Sequence, residues 1–455
     1  MSDTTTTTDT TPPPTGGSDS ALDRYFGLTE RGTDVRTEAV AGLTTFLAMA
    51  YIVVVNPGIL SATGMDAGAV FVATCLAAAV GTAIMGLWAK LPIAQAPGMG
   101  LNAFFAFSVV LGLGVPWETA LAATFVSGAV FFLLAITGVR EAIINAIPMP
   151  LKMAVAAGIG LFIAFIGLQN AGIVVANEAV LVGLGDLSSG STLLAAFGVI
   201  ATAFFVVRNV KGGIFYGIVL TAIVGMITGL VPLPTGVVGA VPSLAPTFGE
   251  ALANIPELLT PDLLVVVFTM LFVDFFDTAG TLIGVTNQAG LLTEDGELPS
   301  GNRALVSDAI ATMTGAVAGT STTTSYIESS AGVGAGGRTG LTAVTTSGLF
   351  LLTLFFAPLL SVVTDAPAVT APALIIVGVM MASSLGDVPW DDMVFAIPAF
   401  VTIVAMPLTY SIATGIALGL VLYPLFMVFK GRAADVHPIM YGLFAVFVAY
   451  FVWAA

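Results

Sequence analysis

Charge is what this chain has least of. Only 9% of its 455 residues are Asp, Glu, Lys or Arg, while 57% are hydrophobic, and soluble domains carry roughly 25% charged residues. So few polar side chains cannot cover a surface in water, which excludes a water-soluble protein and makes an enzyme of the soluble kind untenable. Basic residues are scarcer still: 12 Lys and Arg stand against 27 Asp and Glu, for a net charge of −15. That balance gives phosphates nothing to bind, so no nucleic-acid partner is expected. Cysteine and histidine are nearly missing. Cys75 stands alone inside an apolar run, which rules out an intrachain disulfide, and His437 has neither a Cys nor a second His to share a metal with. No metal and no cofactor are expected. Also lacking is a basic stretch followed by a short apolar one at the N-terminus, the mark of a cleaved signal peptide. Residues 1–22 are instead mostly Thr, Pro, Gly, Ser and Asp and read as a disordered tail.

What is present is length and apolarity. Mean hydropathy is +1.04, and at about 20 apolar residues per span the chain has room for roughly 13 to 15 membrane helices. Apolar runs lie at about 37–62, 67–89, 93–111, 116–138, 150–172, 190–207, 213–231, 260–285, 302–319, 321–336, 339–362, 370–386, 392–408 and 410–429, with an extra C-terminal hydrophobic segment at 437–454. The expectation is an all-α polytopic membrane protein of the plasma membrane with 14 transmembrane segments. With the N-terminus placed in the cytoplasm and crossings counted, Arg24, Arg31, Arg36, Lys90, Arg140, Lys152, Arg208, Lys211, Arg303, Arg338, Lys430 and Arg432 all fall inside. That agreement with the positive-inside rule supports both the count and the orientation.

Leu121, Ala123, Ser127, Gly128 and Leu134 recur 220 residues on as Leu341, Ala343, Ser347, Gly348 and Leu354. The related runs are the fourth and eleventh, seven apart, so the copies would cross in opposite senses as a 7+7 inverted repeat. The third run of each half is a poor helix. One contains Gln95-Ala96-Pro97-Gly98-Met99-Gly100-Leu101-Asn102, where proline and glycine interrupt helical bonding. The other runs from Thr320 through the β-branched stretch Thr322-Thr323-Thr324 to Tyr326 and Glu328, an extended piece followed by a half-helix. Spans 3 and 10 are therefore predicted to be broken, each a short strand plus a half-helix. Non-helical backbone at membrane depth is tolerated where it lines a cavity, so matching breaks point to a substrate site.

Asp274, Asp277 and Glu328 are the acids deep within apolar runs, whereas Glu38 and Asp308 lie nearer run ends where water is expected to reach them. Intramembrane carboxylates are costly and are kept for a partner, a proton or a ligand. An i,i+3 spacing puts Asp274 and Asp277 on one helical face; for Asp277 a structural role as acceptor stands beside ligand contact. With no cation at that depth to pair with, at least one acid is expected to be protonated for part of a cycle. Carboxylates and Asn102 suit a neutral heterocycle bearing N–H groups better than an anion, an amide being able to pair with a purine edge. Phe104, Phe105, Phe275 and Phe276 are possible stacking faces, though such residues are more often core.

The stretches Tyr25–Thr29, Ala41–Tyr51, Ala96–Asn102, Asp274–Thr281 and Thr320–Gly340 resemble the adenine/guanine/hypoxanthine permeases, the AzgA-like branch of the nucleobase-ascorbate or xanthine-uracil permease family. The resemblance runs from Leu22 to about Lys430. It implies core and gate domains: core from 23–138 and 255–362, gate from 139–235 and 368–430. It further implies purine nucleobase import by proton symport with elevator-type alternating access. Carried over by position, Gly100, Asn102, Asp274 and Glu328 would bind purine, Tyr326 would line the pocket, and Asp274, Asp277 and Glu328 would couple protons. The expected partners are a purine nucleobase, a proton with sodium as the alternative ion, and the lipid bilayer; a homodimer is left open.

Two other functions fit parts of the sequence. A sulfate or bicarbonate carrier of the same fold would want a positive or neutral site, against Glu328 and Asp274. An intramembrane aspartyl protease is suggested by Gly183-Leu184-Gly185-Asp186 and Pro372-Ala373-Leu374, but no Tyr-Asp dipeptide supplies its second acid and Asp186 falls in a loop.

Overall fold

The computed structural model describes residues 20–137, 146–234, 236–258, 260–293, 298, 300–360, 362 and 366–453. Most of the tail and Arg140 thus lie outside the described residues. The chain is mostly helical. Helix α1 (Val35–Met49) is interrupted at Ala50 and Tyr51 and resumes as α2 (Ile52–Leu60), followed by α3 (Ala67–Ile84). Strand β1 (Gln95–Pro97) leads into α4 (Met99–Ala103), which continues as a wider helix to Gly112. Then come α5 (Trp117–Thr137), α6 (Met149–Asn170), the hairpin of β2 (Val174–Asn177) and β3 (Leu181–Leu184), α7 (Gly190–Val207) and α8 (Gly213–Ile227). The second half holds α9 (Pro261–Gln288), α10 (Gly301–Ala318), β4 (Thr323–Ser325), α11 (Ser329–Gly334), α12 (Gly340–Thr353), α13 (Pro367–Ala382), α14 (Met393–Thr409), α15 (Ile412–Phe429) and α16 (Pro438–Trp453).

Among the described residues, 9 helical stretches are long and apolar enough to cross a membrane, and shorter apolar helices occur at Met99–Gly112, Gly213–Ile227, Met393–Thr409 and Pro438–Ala449. The chain is therefore a multi-pass membrane protein. Large apolar side chains are exposed along these helices, among them Ile200, Ile227, Leu408 and Phe429, as contact with lipid requires.

Helix starts are set by local chemistry. Asp34 caps α1 by accepting from the Thr37 N–H at 2.8 Å, Asp66 caps α3 through the Ala69 N–H at 2.7 Å, and Asp392 opens α14. The Thr37 N–H holds the Asp34 carboxyl below the usual carboxylate range, and the Lys430 ammonium does the same for Asp392. Both contributions are present at neutral pH and fade as pH falls through that lowered range.

Packing divides the helices into two groups. In one, α5 packs on α9 and α10, α12 on α1 and α3, and α3 on α10. In the other, α6 packs on α13 and α14, α7 on α8 and α13, and α14 on α15. Helix α16 lies against α15, and its Phe447 meets Phe268 of α9 edge to face at 5.5 Å.

Small residues let the second group close up. A Cβ on Gly160 of α6 would sit 2.7 Å from the Met381 Cβ and 2.8 Å from the Gly378 carbonyl of α13. Gly160→Ile should drive α6 and α13 apart at a cost of about 1–3 kcal/mol. Melting of the detergent-solubilised protein checks this; an unchanged midpoint would mean the two backbones do not meet there.

Candidate functional site

The two extended pieces pair with each other. Strands β1 and β4 run antiparallel with Gln95 opposite Ser325, Ala96 opposite Thr324 and Pro97 opposite Thr323. The ladder continues at both ends, the Gly98 N–H donating to Thr322 O at 3.0 Å and the Tyr326 N–H to Ala94 O at 2.9 Å. Backbone that could not survive in lipid unpaired is thus satisfied by its counterpart from the other half of the chain. Gly319, at a φ of 104°, makes the turn from α10 into this stretch, a conformation open to glycine. The expected break in each segment, strand then half-helix, is what the structure contains.

Asp308 of α10 fastens the strand pair. Its Oδ1 accepts from Gln95 Nε2 of β1 and Ser325 Oγ of β4, both at 2.9 Å, and its Oδ2 accepts from Thr278 Oγ1 of α9 at 2.9 Å. The expectation that water reaches Asp308 is corrected: the side chain has 0% exposure. Glu38 is corrected in the same way. It too has 0% exposure, and its carboxylate takes the backbone N–H groups of Arg338, Thr339 and Thr342 and the Thr342 hydroxyl, capping α12 from α1. The sequence misplaces both because position within a run says how far a residue is from a helix end, not what packs over it. A partial signal existed in the dense Ser and Thr around 320–325 and 339–346, which supply the donors.

The acids singled out from the sequence have three different settings. Asp274 is 1% exposed; its Oδ2 lies 3.3 Å from Thr312 Oγ1 and its buried Oδ1 has no hydrogen-bond partner. Thr312 in turn donates to Thr323 O at 2.8 Å, so Asp274 reaches β4 through one hydroxyl. Asp277, one turn on, is exposed. Glu328 is half-buried at the start of α11, and Tyr51 Oη donates to its Oε1 at 2.7 Å. The carboxylate makes no cap to the N–H groups of the half-helix; the tyrosine between α1 and α2 supplies its donor instead. Asp277, Glu328, Tyr51 and Tyr326 lie within electrostatic reach of one another.

Asn102 has 0% exposure; its carbonyl accepts from Ser321 Oγ and its Nδ2 lies 3.4 Å from Pro97 O. Tyr326 is 5% exposed and donates to the same Pro97 O at 2.5 Å. Both side chains therefore lace one broken segment to the other. Gly100 is where α4 touches the second helix group, since a Cβ there would lie 2.6 Å from Ile159 Cγ2 of α6. Phe104, Phe105 and Phe275 are buried, and Phe275 meets Phe131 edge to face at 5.5 Å, so these rings belong to the packing; the Phe276 side chain is outside the described residues. Asp186 of the protease-like tetrad lies in a loop beyond β3, accepting from Ser188. Among the described residues no group of His, Cys, Asp and Glu is arranged to hold a metal ion.

Removing the Asp308 carboxylate should loosen the whole assembly. Asp308→Ala strands the Gln95, Ser325 and Thr278 donors and should cost about 1–3 kcal/mol, with Asp308→Asn costing less because one acceptor remains. Thermal melts of the two variants check the order; equal midpoints with the parent protein would refute the anchoring role.

The sequence profile of the Permease family (Xan-ur-permease) matches residues 36–418. The guanine/hypoxanthine permease PbuG of Bacillus subtilis is 57% identical over 441 residues, covering 95% of this chain and 100% of that protein. The adenine permease AdeQ of Escherichia coli is 46% identical over 416 residues, covering 91% and 93%. Among solved structures, the transmembrane domain of the cyanobacterial bicarbonate transporter BicA superposes with a TM-score of 0.61 at 16% identity, covering 84% of this chain and 97% of that one, a likeness of fold.

Proposed function

This chain belongs to the xanthine-uracil permease family, and from that premise we propose that it is a purine nucleobase importer driven by protons. The observation that carries the reading is the crossed strand pair with Glu328 and Asp277 beside it, carboxylates that have no ion-pair partner among the described residues. Such a site offers acceptors to ring N–H groups and repels anions, which disfavours sulfate or bicarbonate as cargo. The guanine, hypoxanthine and adenine named for the relatives have the matching donors.

Packing supports the 14-segment reading. If segments are counted with β1–α4 as the third and β4–α11 as the tenth, contacts of the first seven map onto those of the second seven. Helix α5 packs on α10 as α12 packs on α3; α5 on α9 as α12 on α1; α7 on α13 as α14 on α6; and α7 on α8 as α14 on α15. An inverted 7+7 repeat generates that pattern. The core would then be 23–138 with 255–362 and the gate 139–235 with 368–430, sliding past each other where Gly100 faces Ile159, with 437–454 as an addition. The N-terminus would be cytoplasmic.

Within this scheme Glu328 would accept a purine N–H, and Asp274, sealed and with one oxygen unpartnered, would carry the proton. Asp277 would stand between them in the exposed part of the site. Gly100, Asn102 and Tyr326 would hold the two broken segments in place around the base.

Uptake of radiolabelled hypoxanthine, challenged with adenine, guanine, xanthine and uracil, tests the cargo; inhibition by none of the purines would end the reading. Accumulation should collapse with a protonophore, and persistence under a sodium gradient alone would move the coupling to sodium. Glu328→Gln should weaken binding about 30-fold or more, because a donor then faces a donor. Asp274→Asn should keep binding measurable by calorimetry while abolishing proton-driven accumulation in vesicles.

A further inference from the structure

Tyr51 is 1% exposed, yet its hydroxyl is spent on a carboxylate rather than on the backbone of its own helix. It sits where α1 gives way to α2, while α11, which begins beside Glu328, rests on α1 so closely that a Cβ on Gly332 would lie 2.7 Å from Ala41 O. The donor and the acceptor are therefore carried by two elements packed backbone to backbone, and neither can turn away freely. Tyr51 engages Oε1, and no other side chain among the described residues donates to Glu328.

We propose that Tyr51 is a positioning residue that fixes which face of the residue at position 328 meets the cargo: it claims one oxygen and leaves Oε2 as the acceptor for a ring N–H. The inference rests on the reading of Glu328 as the purine acceptor. For the native carboxylate the two oxygens are equivalent, and the tyrosine only locks the rotamer. For an amide they are not. In Glu328→Gln, Tyr51 keeping the donor role it has toward Oε1 would hold the carbonyl oxygen and turn the NH2 toward the base, donor against donor, whereas a tyrosine accepting from the NH2 would leave the carbonyl to the base and the variant without a defect for Tyr51→Phe to relieve. The severity expected of that variant is thus imposed by Tyr51, and removing the hydroxyl should relieve it, because the freed amide can rotate and present its oxygen.

The prediction is a reversal of sign. Hypoxanthine binding by calorimetry is measured on full-length wild type, Tyr51→Phe, Glu328→Gln and the double variant, with melting curves to confirm folding. Tyr51→Phe alone should weaken binding about threefold, the scale of ordering one freed side chain when cargo binds, and leave the maximal uptake rate within about twofold. In the Glu328→Gln background the same change should strengthen binding, by about fivefold or more. A merely structural tyrosine would make the double variant weaker than Glu328→Gln, and that result, or no difference between the two, overturns the proposal. Should the phenylalanine variants not accumulate, Tyr51→Leu enters the same cycle with the same criterion. Full-affinity binding by Glu328→Gln alone would instead remove the acceptor role of Glu328 and the proposal together, and it is read from a different sample than the double variant.

Discussion

Six residues of extended backbone, three from each half of the chain, have no means of surviving in a membrane except by bonding to each other. A strand in lipid costs several kcal/mol for every unpaired N–H or C=O, and the pairing of Gln95–Pro97 with Thr323–Ser325 removes that cost. The rest of the centre is built around keeping this small ladder in register. Asp308 ties both strands to α9, Asn102 and Tyr326 tie each half-helix region to the opposite segment through Ser321 and Pro97, and Thr312 binds β4 to α10. Because the two strands come from distant parts of the chain, the site cannot form until both halves are folded and docked.

The same requirement sorts the carboxylates. Glu38 and Asp308 are saturated with donors, four and three hydrogen bonds respectively, and act as fixed cross-links whose oxygens accept from backbone N–H, amide and hydroxyl groups. Asp274 is only half satisfied and is shut away from water. Glu328 and Asp277 reach open space. A single chemical group, the carboxylate, is thus used for architecture in two places and left with unspent bonding capacity in three. In the proposed importer that unspent capacity would serve a neutral, N–H-bearing solute and a proton.

Contact between the two helix groups is of another kind. Inside each group small residues bring backbones together, as at Gly160 and Gly378; between them a glycine on the short α4 faces Ile159. Elsewhere between the groups Ser108 Oγ donates to Tyr410 O at 3.0 Å, and a Cβ on Gly212 at the start of α8 would lie 2.7 Å from Leu47 O of α1.

The amino-acid sequence by itself determined that this protein lives in a bilayer, because 9% charge cannot clothe it in water. It also determined where helices must fail: the Pro and Gly between residues 95 and 102 and the β-branched run 322–324 are local chemistry, legible without a fold, and both became strands. The deep acids Asp274, Asp277 and Glu328 were visible for the same reason, a charge standing in an apolar run. What only the tertiary structure decided is which oxygen meets which donor. Asp308 and Glu38 read as wet because they lie near run ends, but neighbouring helices seal them; Tyr51 carries no local sign of its role, and only the docking of α11 against α1 brings Glu328 to its hydroxyl. Those assignments depend on atoms some 200 to 300 residues apart in the chain, and no local pattern carries the distance between residues that meet only when the two halves dock.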